Sequence, residues 1–197
     1  MAKALTPQQG FDKVGLTTET VVKRILRTLD KATNLNIFDG MHWYDEAKDL
    51  IGNLAYHSDY TTDQVACAMA HLSPRLRWNQ NVAAVSLLVK KGVAPTYVMS
   101  GPAGRAMRAL EAADPFATFG KKAKKTQSFA RNVNGDSNAV TVDVWIARVV
   151  GISESQLKLV GVYEAVAHAY RIAAKRRGFD PAVLQAITWI VVRGSAT

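Results

Sequence analysis

The sequence predicts an all-α protein. Apolar residues recur at three- and four-residue intervals along most of the chain. Helix-start signals precede the apolar runs: Thr61 with Gln64, Ser153 with Gln156, Asp114 before Pro115 and Asp180 before Pro181. Strand signals are few and short; VTVDV is one, and it abuts helical sequence on its far side. Helices joined by short connections make a bundle-like fold dominated by local contacts.

Residues 1–16 hold Pro7, Gly10 and Gly15 and read as a flexible arm. Residues 17–197 read as one helical domain, either a single bundle or two small lobes with a cleft between them. Val21, Val22, Ile25, Leu26 and Leu29 mark the first helix. A second starts near Trp43 and runs through Leu50, Ile51 and Leu54. The capping box at Thr61 opens the run VACAMAHL, and Pro74 breaks the chain after it. A helix follows from about 78 to 91. Residues 92–102, rich in Gly and Pro, read as a loop, and 105–113 as a helix. Lys125 opens the next helix, and Asn134, Gly135, Asp136, Ser137 and Asn138 form a turn-rich stretch. Asp143 then precedes another apolar run, and the last helix runs from Asp180-Pro181 to near Gly194. There is no internal repeat.

The chain has 197 residues, 48% of them hydrophobic, enough for a real core and too many for a disordered segment. Its net charge of +9 favours an anionic partner: nucleic acid, nucleotide or another phosphate. The alternative is a merely solvated basic surface. The single cysteine, Cys67, excludes an intrachain disulfide and a four-cysteine zinc or iron–sulfur site. His42, His57, His71 and His168 show no paired ligand spacing, so neither metal nor cofactor is expected. No signal peptide and no membrane-length apolar run is visible, which predicts a soluble cytoplasmic protein with no membrane partner.

Lys125 and Asp143 are the candidate catalytic pair. A turn between two helices lets an amine and a carboxylate meet in one cleft. A carboxylate stabilises the cationic sugar that forms when a base–sugar bond breaks, and an amine or a water attacks the anomeric carbon. Asp143 also fits a plain helix cap. Lys125 fits a nucleophile, a phosphate contact or one of several solvated lysines, with Lys121, Lys122 and Lys124 beside it. Arg75, Arg77, Trp78 and Asn81 form a second cluster: arginines grip phosphate, an indole stacks on a base and an amide reads base edges. Trp78 fits the core equally. Lys122, Arg131 and Asn132 are further phosphate candidates, Asn132 lying seven residues after Lys125 on the same helix face. Tyr44, Ser73, Tyr163 and Trp189 complete the pocket candidates.

Several motifs together resemble the helix-hairpin-helix DNA glycosylase superfamily. Lys125-Thr126 matches that family's lysine and its neighbour, at the start of the helix after the hairpin. Val142-Asp143, eighteen residues on, matches its V-D pair, and Arg148-Val149 the segment after it. Leu72-Ser73-Pro74-Arg75 sits where the family has a leucine-serine loop that inserts a side chain into the base stack. Trp189 and Arg193-Gly194 resemble its closing helix. The likeness covers roughly residues 40–194. The patterns SPRLRWNQN, KTQSFARN, VTVDVW and QAITW are similar to those of a set of actinobacteriophage proteins, which would place the chain in an infected bacterial host. The resemblance implies a glycosylase-like helical fold and hydrolysis of a base–deoxyribose bond. The hairpin departs from the family: GKKAKKT carries lysine and alanine where the family has two glycines, and the iron–sulfur loop of some relatives is absent. Those glycines let backbone amides approach a DNA phosphate. Two substrates therefore stand level, DNA and free deoxynucleoside 5′-monophosphates. A non-catalytic nucleic-acid-binding module and a base-modifying enzyme on the same fold are the alternatives.

Overall fold

The computed structural model describes residues 5–195. It is all-α: among the described residues there are eleven α-helices, one 3₁₀ turn and no strand. The chain, expected as a single bundle or two small lobes, divides into two compact units. The first joins the segment ending at Tyr44 to the segment starting at Ser137; the second holds residues 45–136. Helix α3 (Asn34–Tyr56) contributes to both.

In the first unit, α1 (Pro7–Asp12), α2 (Thr18–Leu29), α8 (Val144–Val150), α9 (Glu154–Leu157), α10 (Val162–Arg177) and α11 (Pro181–Arg193) surround one core. Helix α10 lies at its centre, packed on α1, α2, α9 and α11. Ala165, Ala169, Ala173 and Ala174 keep its inward face thin, and Tyr170 fills the space beside them. The arm predicted over residues 1–16 is corrected by this unit. Residues 1–4 lie outside the described part, but Thr6 and Gln9 form a capping box for α1 and Phe11 is fully buried. Pro7 fits the helix because at the first helical position its missing N–H costs nothing. Gly10 is required by contact: a side chain there would collide with the backbone carbonyl of Gly161.

Helix α8 has only seven residues and is held at both ends by charged side chains. Asp143 caps its start, and the Arg24 guanidinium donates to the Val150 carbonyl at its end, at 2.6 Å. Each charge opposes the sign of the helix dipole at its own end. The VTVDV segment before α8 pairs with no strand. Instead the Tyr163 hydroxyl accepts from the Val142 N–H (3.2 Å) and donates to the Val140 carbonyl (3.0 Å). One phenol thus supplies what a neighbouring strand would have supplied to buried backbone.

In the second unit, α4 (Thr62–Leu72) is the central rod. Every residue from Val65 to Leu72 is buried, against α5 (Trp78–Lys91), α6 (Ser100–Glu111), α7 (Lys124–Val133) and the 3₁₀ turn Pro115–Thr118. A helix apolar all round belongs inside. The capping box at Thr61–Gln64 forms as expected. Helix α6 starts at Ser100, inside the stretch expected to be a loop. Pro102 lies in its first turn, where no intrahelical N–H is lost. Burial, followed by the nearby charges of Asp63 and Asp114, pushes the Cys67 thiol up to about 12, so Cys67 is an inert core residue.

His71 is the one buried histidine of the second unit, stacked on Phe119 at 4.2 Å between centroids with its Nε2 2.8 Å from the Thr118 hydroxyl. Burial first, then Arg105 and Arg108, lower its pKa to about 4. The folded state therefore binds its proton later than the unfolded chain does. Stability is fully present above the ordinary histidine pKa of roughly 6.5 and falls as the pH drops from there towards 4. Melting temperatures measured from about pH 6.5 down to about pH 4 should fall more steeply for the wild type than for His71→Gln. Parallel curves would contradict this role for His71.

Candidate functional site

Three N–H groups hold the carboxylate of Asp143. Its backbone is extended and places the side chain over the first turn of α8. Oδ1 accepts from the Trp145 N–H at 2.9 Å and the Ile146 N–H at 3.0 Å. Oδ2 accepts from the Trp189 indole N–H at 3.1 Å. A carboxylate has about four acceptor positions. The two on Oδ1 are taken, and Oδ2 keeps one open lone pair. The residue is half-buried, and its three N–H partners fix the direction of the carboxylate.

A polar stripe on α11 supports it. Gln185, Thr188 and Trp189 recur at helical spacing and face the same way; the first two are buried. The Tyr44 hydroxyl donates to Gln185 Oε1 at 2.8 Å. The Thr188 hydroxyl donates back to the Leu184 carbonyl at 3.0 Å, which leaves its oxygen to accept from the buried Tyr170 hydroxyl at 2.8 Å. Burial pushes both phenols up, and the Asp143 charge raises both further. Both phenols are therefore neutral donors at physiological pH. The Trp189 ring lies 6.3 Å from that of Trp43, and the Arg193 guanidinium sits 4.5 Å above it. Asp143 thus borders a patch of fixed dipoles and aromatic faces.

Of the residues expected here, Asp143, Tyr44 and Trp189 come together in the first unit. The Tyr163 hydroxyl is engaged with the backbone of residues 140 and 142 and holds the segment that delivers Asp143. Gln185 and Thr188 were missed. Their signal was present in QAITW, where two polar residues and a tryptophan share one face of an otherwise apolar helix.

Lys125 lies on the second unit, exposed in the first turn of α7. That turn has no acidic residue and no side-chain cap. Lys121 and Lys122 are exposed in the turn before it, and Arg131 is exposed in its last turn. Cations at a helix start oppose the dipole, an arrangement that an anion would relieve. Asn132 is corrected: it is 2% exposed and its Nδ2 donates to the Asp136 carbonyl at 2.9 Å, closing the turn after α7. The Ser73 hydroxyl donates to the Ala70 carbonyl at the end of α4. Arg75 and Arg77 are exposed and Trp78 is half-buried at the start of α5. Asn81 is buried in the same helix, and its Oδ1 has no hydrogen-bond partner. Among the described residues no cluster of His, Cys, Asp and Glu could hold a metal ion, and no helix is long and apolar enough to cross a membrane.

Fold and site together define an all-α protein of two helical units, with a rigidly held carboxylate at a helix start in the first and a lysine- and arginine-rich stretch from Arg75 to Arg131 in the second. The chain belongs to the family of unknown function DUF7178, whose model matches residues 8–196. No curated protein and no solved structure matches it.

Proposed function

We propose that the protein is an N-glycosidase that hydrolyses the bond between a nucleobase and deoxyribose, in DNA or in free deoxynucleoside 5′-monophosphates. The observation that carries this reading is the hydrogen-bonding of Asp143: three N–H groups orient its carboxylate and one lone pair of Oδ2 stays open. As the C1′–N bond breaks, its electrons leave with the base and the sugar becomes cationic. A fixed carboxylate beside that carbon stabilises the charge better than mobile water does. Water supplies the new C1′–O bond, and its proton passes to solvent or to the departing base. Charge supports a nucleotide substrate. Between Arg75 and Arg131 the chain carries eleven lysines and arginines against two carboxylates, Glu111 and Asp114. The same excess favours, as a second reading, a nucleic-acid-binding module without catalysis.

Incubation with deoxynucleoside monophosphates and, separately, with oligonucleotides carrying normal and modified bases separates these readings. Chromatography should detect free base from one of the two substrate classes. A gel shift with no free base from either supports the binding module instead. Lys125 enters through its spacing to Asp143 and its place in the first turn of α7. Borohydride added during turnover should trap a covalent adduct if Lys125 attacks C1′. An active enzyme that gives no adduct rules out Lys125 as the nucleophile and leaves it as a phosphate contact or a solvated lysine.

A further inference from the structure

The second unit contains a small cleft that none of the proposed chemistry uses. It encloses about 190 Å³ between the loop after α4 and the loop before α6. Leu72, Val98 and Pro102 form its buried floor; Arg75, Tyr97 and Met99 form its exposed rim. Ligand pockets for drug-sized molecules run to roughly 300–1,000 Å³, so this one has room for a single flat ring.

Three features say what kind of ring. Tyr97 is 48% exposed, yet its hydroxyl donates to the Gln80 carbonyl at 3.1 Å, so the aromatic face is anchored before any ligand arrives. Met99 beside it is 45% exposed and offers a polarisable surface. No carboxylate lines the cleft, and Arg75 stands at its rim with no ion-pair partner among the described residues. Arg75 is also the one non-glycine residue among those described with positive φ, at 68°. A side chain in that conformation costs on the order of 1 kcal/mol, and such strain clusters at binding sites. An apolar slot with a fixed aromatic wall and a cationic rim matches an unpaired base with its flanking phosphate. A paired base could not enter it without leaving its duplex.

We propose that this cleft receives one unpaired base of a single-stranded nucleic acid, with Tyr97 and Met99 against the base and Arg75 on the adjoining phosphate. Such binding does not rest on the glycosidase reading. A protein that binds the strand and releases no base keeps this site and loses that activity.

The test is fluorescence anisotropy of the full chain with a short labelled oligothymidylate. Binding should weaken as salt rises. Tyr97→Ala should weaken it about tenfold, the loss of one stacked base, while Tyr97→Phe, which keeps the ring and loses only its anchoring bond to Gln80, should lose much less. Arg75→Gly should also weaken binding, with a melting temperature equal to or above that of the wild type, because glycine accepts the positive φ without strain. That behaviour separates a lost contact from a lost fold. The proposal is overturned if no strand binds at low salt, or if Tyr97→Ala and Arg75→Gly bind as tightly as the wild type. It is also overturned if Tyr97→Phe loses as much as Tyr97→Ala, if duplex binds as tightly as single strand, or if thymidine monophosphate competes as well as the strand.

Discussion

Gly40→Ala should destabilise the first unit by about 3 kcal/mol or more, the upper range for overpacking a tight contact. Gly40 lies on α3 where that helix meets α11 backbone to backbone. A Cβ added there would collide with the Ile187 side chain and lie 2.8 Å from both the Ile187 nitrogen and its Cα. Backbone atoms cannot rotate aside, so α11 itself must shift. Gly52, further along the same helix, provides the control. A Cβ there would meet nothing within 4 Å, and its backbone has no positive φ. Gly52→Ala should therefore stabilise by roughly 0.5–1 kcal/mol through helix propensity alone. Urea unfolding of both variants should give shifts of opposite sign. Equal stability of Gly40→Ala and wild type would contradict the close approach of α3 and α11. The effect reaches the candidate site because α11 carries Gln185, Thr188 and Trp189.

Asp143→Ala should cost about 2–4 kcal/mol. It removes a helix cap, worth about 1 kcal/mol, and leaves the part-buried Trp189 indole N–H without its acceptor, a further cost of about 1–3 kcal/mol. Asp143→Asn is milder and more informative. Its amide oxygen can still accept from the Trp145 and Ile146 N–H groups. Its NH₂ then faces the Trp189 N–H, donor against donor. Trp189→Phe removes that donor. The double variant should thus be more stable than the sum of the two single losses implies, and the coupling is measurable by a double-mutant cycle in urea. Strict additivity would contradict the bond between Asp143 and Trp189.

The helices were legible where local chemistry decides them. Thr61 with Gln64, Ser153 with Gln156 and Pro181 after Asp180 each mark a helix start in the sequence and in the structure. Failures occurred where distant residues decide. Pro7 and Gly10 look like breakers, and only the contact of Gly10 with Gly161 shows why glycine belongs in α1. VTVDV looks like a strand, and only Tyr163 explains how it stays extended without a neighbour. At the candidate site, Asp143 and Trp189 were both visible, but their bond spans 46 positions and no periodicity reports it. Seven-residue spacing put Asn132 on the face of Lys125. The same spacing says nothing of burial, and Asn132 closes a turn while Lys125 is exposed. Tyr97 and Met99 went unremarked because a cleft built from two loops has no period to read.

The decisive measurement is the amount of free base released from deoxynucleoside monophosphates and from oligonucleotides by the wild type and by Asp143→Asn, each shown to be folded by circular dichroism. Stabilisation of a cationic sugar by this carboxylate predicts release by the wild type and a loss of about a thousandfold or more in the folded variant. A folded Asp143→Asn protein that frees base at the wild-type rate, or a wild type that frees none from either substrate, would contradict it.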